Sequence, residues 1–496
     1  MSETSYSEFL FGRLPIYTSI DRFDPERPDE IISEVNTALS IHVQNLIAME
    51  YLYWYRRGIT PIYAKTKEVR PEINHKVNVN IAEQIVDFKN GYFLAQPAFY
   101  VSRREDERVT TGVKELNEYL YRSGKQQADN ELVDWFHTVG KADLFIKSVD
   151  DPDTPYEAYA LDPRSAFVVK SFAPGNPTVY AVNIVIQDEK LFLDVWDKYN
   201  CYRLYGTVTG KITAPVCDYI CTATDVVSVI PNPLGAVPII EYKYNSVGMS
   251  AFESVITLLD AMNDLTSGRI DSIDQFVQSL LIFYNCELGT DSDGNEITVK
   301  AVREAGALFL KNIGDNKADV TEISSTLDQQ QTQVFADFIY NQILAICGMP
   351  DTTKGHGSTS DTGLAAELRD GWTSCEMMAR NCEDLFKKSN REFDEIMLTI
   401  LRGKGLTDIS VNDFALNFTR NDVRGAQSKA QALNTYLQSG LHPIIALAKS
   451  GASADPVNDY EVSKGYMRMR WGDPEAPAEQ PTTEIVEEDN NTGEFQ

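Results

Sequence analysis

The feature that most constrains the fold is a loop-like segment followed by a long amphipathic pattern, between residues 348 and 402. Residues 350–360 are rich in Gly, Ser and Thr and lack large apolar side chains, which predicts a mobile surface loop. From residue 361, apolar side chains recur at helical spacing for about forty residues. At ~1.5 Å per residue, this predicts a helix of roughly 60 Å, longer than the ~30 Å diameter of a small domain. Such a helix indicates an assembly larger than one subunit.

The net charge of −28 constrains the possible partners. Proteins that hold DNA by its phosphates display Lys and Arg patches, because the release of counterions drives that binding. This chain has 73 acidic and 45 basic side chains, so we expect any contact with nucleic acid to be brief or repulsive. An acidic surface that keeps a protein soluble is the usual explanation of such a charge.

The seven cysteines are odd in number and scattered among apolar neighbours, which predicts buried thiols in a reducing compartment. Cys217 and Cys221 have a Cys-x3-Cys spacing, but no histidine or second cysteine pair lies nearby in sequence to complete a zinc site. No apolar run approaches the ~18 residues of a membrane span, and the N-terminus lacks a signal-peptide pattern. We expect a soluble, unexported protein without a metal or cofactor.

The first half of the chain passes from helical to strand-like patterns. Residues 1–28 are polar and Pro-rich and are predicted to form an arm, and helices are predicted within 29–139. Short β-type segments separated by turns fill 143–242 without intervening helices. This pattern predicts an antiparallel meander, and the fold class is α+β and helix-rich rather than doubly wound.

The second half alternates long helices with smaller segments. A capping box at residues 250–253 predicts the start of a helix that runs to about Tyr284. A small module with strands follows, and a further helix ends at Gly348. Beyond Arg402, a strand and helical stretches are predicted. Residues 473–496 are acidic and contain no Lys or Arg, which is typical of a disordered tail.

Two runs resemble nucleotide and calcium motifs but depart from both. The run from Gly206 to Thr213 is one residue too short between its glycines for a Walker A loop, and β-type segments flank it on both sides, so a hairpin turn is predicted. The run 291–295 resembles a calcium loop, but its glycine comes two positions early and Val302 replaces the bidentate Glu. No Ser or Cys nucleophile motif occurs. These residues therefore predict no catalytic activity.

The cations of the predicted loop allow two interpretations. Lys354 and His356 are its only basic residues. They either make an ordinary surface loop soluble or, if loops of several subunits meet at a central hole, present cations to whatever passes through it.

Several short runs in a fixed order match one known family. They are Asn74-His75-Lys76-Val77, Ile85-Val86-Asp87, the Gly-Tyr-Phe-Leu-Ala-Gln-Pro run at 91–97, the Pro-Asn-Pro-Leu-Gly run that opens 231–242, the helical run 258–263, the loop run 357–365 and Asn417-Phe418-Thr419-Arg420-Asn421. With two long helices around a small module and a Gly/Ser/Thr-rich loop before a longer helix, the chain resembles the portal proteins of tailed bacteriophages. The nearest resemblance is to those of long-tailed phages of Gram-positive bacteria, over residues 74–466.

The resemblance implies a portal fold, with wing, stem, clip and crown regions around a central channel. The implied regions are an N-terminal arm (1–28), the wing (29–249), a wing and stem helix (250–284), the clip (285–325), a second stem helix (326–348), the tunnel loop (349–360), a long helix that joins stem and wing to crown (361–402), the crown (403–472) and an acidic disordered tail (473–496). The tunnel-loop residues expected to face the DNA channel are Thr352, Thr353, Lys354, Gly355, His356, Gly357 and Ser358.

The resemblance also implies a function without enzymatic activity. A homo-oligomeric ring, expected to be a dodecamer, occupies one capsid vertex of the virion after assembly in the host bacterial cytoplasm. Double-stranded DNA passes through it during packaging and ejection. The expected partners are the terminase large subunit, a head-completion or adaptor protein, and the major capsid and scaffolding proteins, but no membrane. Two alternatives stay open: a nucleic-acid-processing enzyme that uses the run at Gly206, and a capsid scaffold or adaptor without a channel.

Overall fold

The computed structural model describes residues 12–68, 70–104, 106–187, 190–211, 218–277, 280–284, 286–288, 310–312, 319–323, 329–351, 371–420, 426–453 and 455–471. Its α-helices are α1 (Pro28–Arg56), α2 (Ile81–Phe93), α3 (Glu107–Arg122), α4 (Lys125–Val139), α5 (Ile256–Val277), α6 (Gln329–Cys347), α7 (Trp372–Gly403), α8 (Ala426–Gln438), α9 (Pro443–Ser450) and α10 (Pro456–Trp471).

All strands but one lie in the first half of the chain or in the short module between α5 and α6, and the last strand follows α7. They are β1 (Ile16–Thr18), β2 (Phe99–Ser102), β3 (Lys141–Ser148), β4 (Tyr156–Leu161), β5 (Ala166–Ser171), β6 (Thr178–Gln187), β7 (Lys190–Asp197), β8 (Asn200–Lys211), β9 (Asp218–Pro231), β10 (Ile239–Lys243), β11 (Leu280–Tyr284), β12 (Cys286–Leu288), β13 (Leu310–Asn312), β14 (Asp319–Ile323) and β15 (Phe414–Asn417). The predicted α+β, helix-rich class is confirmed.

The largest sheet has six strands in the order β1-β5-β6-β7-β8-β9. Strands β5 to β9 form the predicted antiparallel meander. In β7, Leu191, Leu193 and Val195 are buried and the residues between them are more exposed, because successive side chains of a strand point to opposite faces. Helix α1 packs on the buried face, and its Val35 and Leu39 belong to the same core.

Part of the segment predicted to form an N-terminal arm, residues 1–28, packs on the core. Strand β1 pairs in parallel with β5, and Phe23 is buried in the core under α1. Arg13 forms a buried ion pair with Glu253, with 2.7 Å between Nη2 and Oε1. Polar composition did not predict these contacts, because the partners are remote in sequence. Residues 1–11 lie outside the described residues.

A second core joins helix α7 to the small sheet β10-β3-β4 and to α4. Phe386, Phe393 and Met397 of α7 are buried at helical spacing, and Tyr242 of β10 packs against Phe386. Strand β15 pairs with β2 in an antiparallel ladder. The chain after α7 therefore returns to this core before α8, so a separate crown would begin only after β15.

Helix α7 is shorter than the helix predicted at 361–402. It begins at Trp372, because Gly371 has a φ of +83°, a left-handed conformation that interrupts a right-handed helix. Its 32 residues correspond to about 48 Å at ~1.5 Å per residue. The prediction of one uninterrupted helix is therefore wrong at Gly371, and residues 361–370 lie outside the described residues.

Helix α5 also ends earlier than predicted. The helix predicted to reach Tyr284 stops at Val277, and the run Leu280–Tyr284 forms strand β11, which pairs with β14. The leucines at 280 and 281 fit the apolar stripe of a helix as well as a strand. Pairing with β14 makes this run a strand. A second short ladder joins β12 to β13, so the predicted module with strands consists of two ladders in the described residues.

The predicted capping box forms in part. Glu253 Oε2 accepts a hydrogen bond from the amide of Ser250 at 2.7 Å. The Ser250 hydroxyl donates instead to the carbonyl of His137 at 3.0 Å and accepts from the amide of Phe252. A 3-10 turn, Glu253–Val255, consequently precedes α5. The box thus fixes both the helix start and its contact with α4.

The described cysteine side chains are buried free thiols, as predicted. They are Cys201, Cys221, Cys347, Cys375 and Cys382. Burial raises the pKa of Cys347 and of Cys375 to about 11, although the nearby positive charge of Lys89 acts in the opposite direction. Thiols with such pKa values are poor nucleophiles and serve as apolar core groups here.

Candidate functional site

The residues predicted to face a channel lie outside the described residues. They are Thr352, Thr353, Lys354, Gly355, His356, Gly357 and Ser358. The structure does describe the two points that bound their segment, the end of α6 and the start of α7. We call this region the loop root and define it as Lys89, Gly348, Met349, Gly371 and Met378.

Helix α6 ends at the loop root in a Schellman motif. The Met349 amide donates to the Leu344 carbonyl at 2.8 Å, and the Gly348 amide donates to the Ala345 carbonyl at 3.2 Å. Gly348 has a φ of +63°, and a Cβ at this position would lie 2.3 Å from Sδ of Met378 on α7. The predicted helix stop at Gly348 is confirmed, and close packing on α7 explains why glycine fits there.

A buried lysine holds the same helix end. Nζ of Lys89, on α2, donates to the carbonyl oxygen of Cys347 at 2.7 Å and lies 5.6 Å from the ring centroid of Tyr244. Lys89 is only 8% exposed. The last carbonyls of a helix have no partner within the helix and carry partial negative charge, so a cation stabilises them. Lys89 thus fixes where α6 stops.

The start of α7 lies at the same place. A Cβ on Gly371 would lie 3.9 Å from both the carbonyl oxygen of Met349 and Cα of Pro350. The Gly371 carbonyl accepts from the amides of Ser374 and Cys375, which opens the helix. The chain therefore leaves α6 and enters α7 at neighbouring points, and residues 352–370 begin and end at the loop root.

Helix α6 has one buried and one exposed apolar face. Ile339, Ile343 and Leu344 are buried against α5 and its neighbours. The opposite face, which we call the stem face, carries large apolar side chains that are 44–65% exposed: Val334, Phe335, Phe338 and Ile346. Contiguous exposed apolar side chains of this kind mark an interaction surface.

Helix α5 is fixed to the first half of the chain by a polar ladder. Three of its side chains, spaced four residues apart and nearly fully buried, accept hydrogen bonds from alternate backbone amides of an extended segment. The pairs are Val79 with Asn263 Oδ1 at 2.8 Å, Val77 with Ser267 Oγ at 3.0 Å, and His75 with Asp271 Oδ1 at 2.8 Å. This spacing places the three acceptors on one helical face.

The near-Walker run has a structural role. Gly206 and Lys211 lie within strand β8, which pairs with β9, and a Cβ on Gly206 would lie 2.1 Å from the carbonyl oxygen of Thr222. The run belongs to one strand of a β-hairpin, so the predicted turn is wrong for residues 206–211. Residues 212–217 lie outside the described part. Within the described residues, no group of three or more His, Cys, Asp or Glu side chains is placed to hold a metal ion.

Residues 38–444 match the family described as "Phage portal protein, SPP1 Gp6-like". This chain belongs to that portal protein family. The match covers most of the sequence, including α5, α6, the loop root and α7. No curated protein matches the sequence.

Membership of the family establishes the general role. The portal protein is a structural, non-enzymatic component of the phage capsid that forms a homo-oligomeric ring and associates with DNA. The family also places it in the virion. No helix in the part of the portal protein that the structure describes is long and apolar enough to cross a membrane.

Sequence reasoning missed Lys89 and the polar ladder, although both leave a signal. Lys89 follows Ile85 by four residues and precedes Phe93 by four, so a cation stands on the buried stripe of α2. Asn263, Ser267 and Asp271 recur at helical spacing on one face of α5. A polar residue on an otherwise apolar stripe indicates a buried hydrogen bond, but its partner becomes known only from the fold.

Lys89→Met is expected to lower the free energy of unfolding of the portal protein by about 1–3 kcal/mol, because the buried Cys347 carbonyl loses its donor. Hydrogen exchange of residues 344–349 should become faster, as measured by mass spectrometry. Lys76→Met is the matched control, since Lys76 also donates to a carbonyl, that of Tyr63, but at the surface. Equal exchange in both variants would contradict the role of Lys89.

Proposed function

We propose that copies of the portal protein form a closed ring at one capsid vertex, and that double-stranded DNA passes through its central channel during packaging and ejection. The observation that carries this proposal is the stem face, an exposed apolar surface on a helix that is otherwise well packed. A heterologous contact repeated around a rotation axis covers such a surface on every subunit once the ring closes. A dodecamer is the expected size.

Helices α5 and α6 form the proposed stem, and the module between them forms the proposed clip, residues 285–325. The ladders β11–β14 and β12–β13 support this assignment, since they bring the two ends of the module together beside the two helices. The proposed clip is the docking platform for the terminase large subunit and a head-completion protein. The proposed wing, built on the six-stranded sheet, contacts the capsid and scaffolding proteins, and the crown follows β15.

The ring contact gains its free energy from the stem face. Burial of one Phe or Val side chain contributes about 1.5–3 kcal/mol. Phe335 and Phe338 stack at a centroid distance of 6.5 Å and present one continuous apolar surface. Several buried apolar side chains at each subunit interface offset part of the free energy that association costs in lost translational and rotational freedom.

The residues 352–358 are proposed to contact DNA in the channel. The loop root supports this assignment, because the chain leaves the C-terminal end of the proposed stem helix α6 and enters α7 at neighbouring points. A lining that gripped phosphates would stall DNA, since each Lys or Arg contact with a phosphate adds affinity. An acidic protein with a few cations on each loop guides DNA without holding it, which fits the net charge of −28.

Lys354→Ala, and deletion of residues 352–357, are expected to leave ring assembly unchanged and to reduce DNA packaging or DNA retention. Assembly should be unchanged because residues 352–357 follow the loop root and are not part of the stem face, which forms the proposed subunit contact. The measurement is DNase-protected DNA per particle, with ring formation scored separately by electron microscopy. Lys190→Ala, which removes an exposed cation from β7, is the control. Normal packaging in both loop variants would remove the proposed role.

A further inference from the structure

A groove runs along one side of α7 and begins at Met378 of the loop root. Its larger part is a cleft of about 780 Å³ between α7, β10 and the turn after β5. A smaller cleft of about 390 Å³ continues it and shares Asn245, Ser246 and Leu385 with the first. The α7 residues that line the two clefts extend from Met378 to Glu392. At ~1.5 Å per residue, the groove is about 21 Å long.

The groove is apolar at one end and basic at the other. Tyr244 and Met378 line the smaller cleft, and Lys170, Lys243 and Lys388 line the larger one. This concentration of lysines is unusual on a chain with a net charge of −28. The groove therefore suits a segment that carries both apolar and acidic side chains.

Two carboxylates, Glu241 and Glu392, line the larger cleft, and Glu241 is already shared between two lysines. Glu241 accepts from Lys170 at 2.5 Å and lies 3.4 Å from Nζ of Lys243. Burial alone would raise the pKa of Glu241, but Lys243, Lys170 and Lys141 lower it to about 2. Burial raises the pKa of Glu392 in the same cleft, and the charges of Lys170 and Lys388 oppose that shift. Lys388 is exposed on α7, and within the described residues it forms no ion pair. A further anion is therefore best accommodated beside Lys388.

A buried donor at the groove also lacks an acceptor. Arg13 lines the larger cleft, and its side chain is 2% exposed. Nη2 of Arg13 is paired with Glu253, but Nη1 is buried and has no acceptor among the described residues. Burial lowers the pKa of Arg13, with the charge of Glu253 only partly compensating. A buried donor without an acceptor costs about 1–3 kcal/mol. A segment in the groove that places an acceptor oxygen beside Nη1 of Arg13 would therefore be stabilised.

The segment before Gly12 starts at the edge of this groove. The Gly12 amide donates to Glu253 Oε1 at 3.2 Å, and a Cβ on Gly12 would lie 2.2 Å from the carbonyl oxygen of Val247, which also lines the larger cleft. The sequence of residues 1–11 contains Glu3 and Glu8, no Lys or Arg, and an apolar end, Phe9-Leu10-Phe11. Six extended residues cover about 21 Å at ~3.5 Å each, so the segment is long enough for the groove.

We propose that residues 1–11 dock in this groove of their own subunit. Glu8 pairs with Lys388, a backbone or carboxylate oxygen accepts from Nη1 of Arg13, and the aromatic side chains cover Leu385. The contact joins the N-terminal segment to the middle of α7, the helix that also starts at the loop root. Docking of a tethered segment has an effective concentration of about millimolar, so weak contacts are sufficient.

Lysine acylation followed by mass spectrometry tests this proposal on the full chain. If the tethered segment occupies the groove about four-fifths of the time, Lys388 reacts at about one-fifth of its free rate. Deletion of residues 2–9 should therefore raise the acylation rate of Lys388 by about fivefold. Glu8→Lys, which leaves the chain length unchanged, should also raise the acylation rate of Lys388. Lys190, on β7, is the internal control and should react equally in every variant.

A peptide of residues 1–11, added at millimolar concentration, should restore protection of Lys388 in the deletion variant, and a peptide with Glu3→Lys and Glu8→Lys should not. Equal acylation of Lys388 in the full chain and in the deletion variant would overturn the proposal. Protection that survives deletion of residues 2–9 but disappears when residues 472–496 are removed would assign the groove to the acidic tail instead. Protection confined to assembled rings would assign it to a neighbouring subunit, against the arrangement proposed.

Discussion

Phe338→Asp is expected to abolish ring assembly and leave a folded monomer. Phe338 is 55% exposed on the stem face, and in the proposed ring it is buried by the neighbouring subunit. Loss of that burial costs about 1.5–3 kcal/mol per interface, and desolvation of an unpaired carboxylate costs more. A total of about 3 kcal/mol or more weakens each contact by roughly a hundredfold or more. Light scattering coupled to size-exclusion chromatography measures the change.

The matched control for Phe338→Asp is Tyr121→Asp. Tyr121 is 72% exposed on α3, outside the stem face, so the same charge is introduced without loss of the proposed contact. This variant should assemble like the unmodified protein. Circular dichroism and thermal melting should show that both variants fold. Rings of normal size and stability from Phe338→Asp would mean that the stem face is not the subunit contact.

Glu253→Ala is expected to lower the free energy of unfolding by about 3–5 kcal/mol, because it leaves the charge of Arg13 buried without a partner. The Glu253 carboxylate also accepts from the amides of Gly12 and Ser250. Its loss therefore loosens the N-terminal segment and the start of α5 together. The first transition in urea unfolding, followed by tryptophan fluorescence, measures the effect.

Two variants distinguish this buried pair from an ordinary ion pair. Asp408→Ala removes the partner of Arg108 from a pair whose side chains are 69% and 67% exposed, and it should cost less than about 1 kcal/mol. Arg13→Met combined with Glu253→Leu removes both buried charges and should recover much of the loss. If Glu253→Ala costs no more than Asp408→Ala, the buried pair does not anchor the N-terminal segment.

The strands of the first half could be predicted because their signal is local. Leu191, Leu193 and Val195 recur at every second position, and this period of two places them on one face whatever surrounds the strand. Strands β4 to β9 lie within residues 143–242, the region predicted to hold short β-type segments. Turn residues between short strands also excluded intervening helices, which predicted the meander of β5 to β9 but not the separate sheet β10-β3-β4.

The errors in helix ends arise where distant contacts decide the local structure. Gly371 fits the helical period as well as any small residue, and its left-handed backbone depends on the packing of the loop root. The run Leu280–Tyr284 becomes a strand because β14 pairs with it from across the module. Composition and periodicity carry no information about either partner.

The predicted site residues 352–358 lie outside the described residues, so their role stays a prediction. The sequence predicted the end of α6 at Gly348, whereas the anchoring of that end by Lys89 comes from α2, and Lys89 is 258 residues away from Cys347 in sequence. The sequence predicted α6 as a helix, but only burial in the structure separates the stem face from the face that packs on α5. Membership of the portal family supplied the role that no side-chain cluster alone defines.

End-on electron microscopy of the purified portal protein tests the central proposal most directly. Closed rings with an open central hole are predicted, with the long axis of α6 lining the hole and the stem face turned towards the neighbouring subunit. The rings should be absent from Phe338→Asp at the same protein concentration. A uniform monomer under capsid-assembly conditions, or closed particles without a central hole, would contradict the proposed channel.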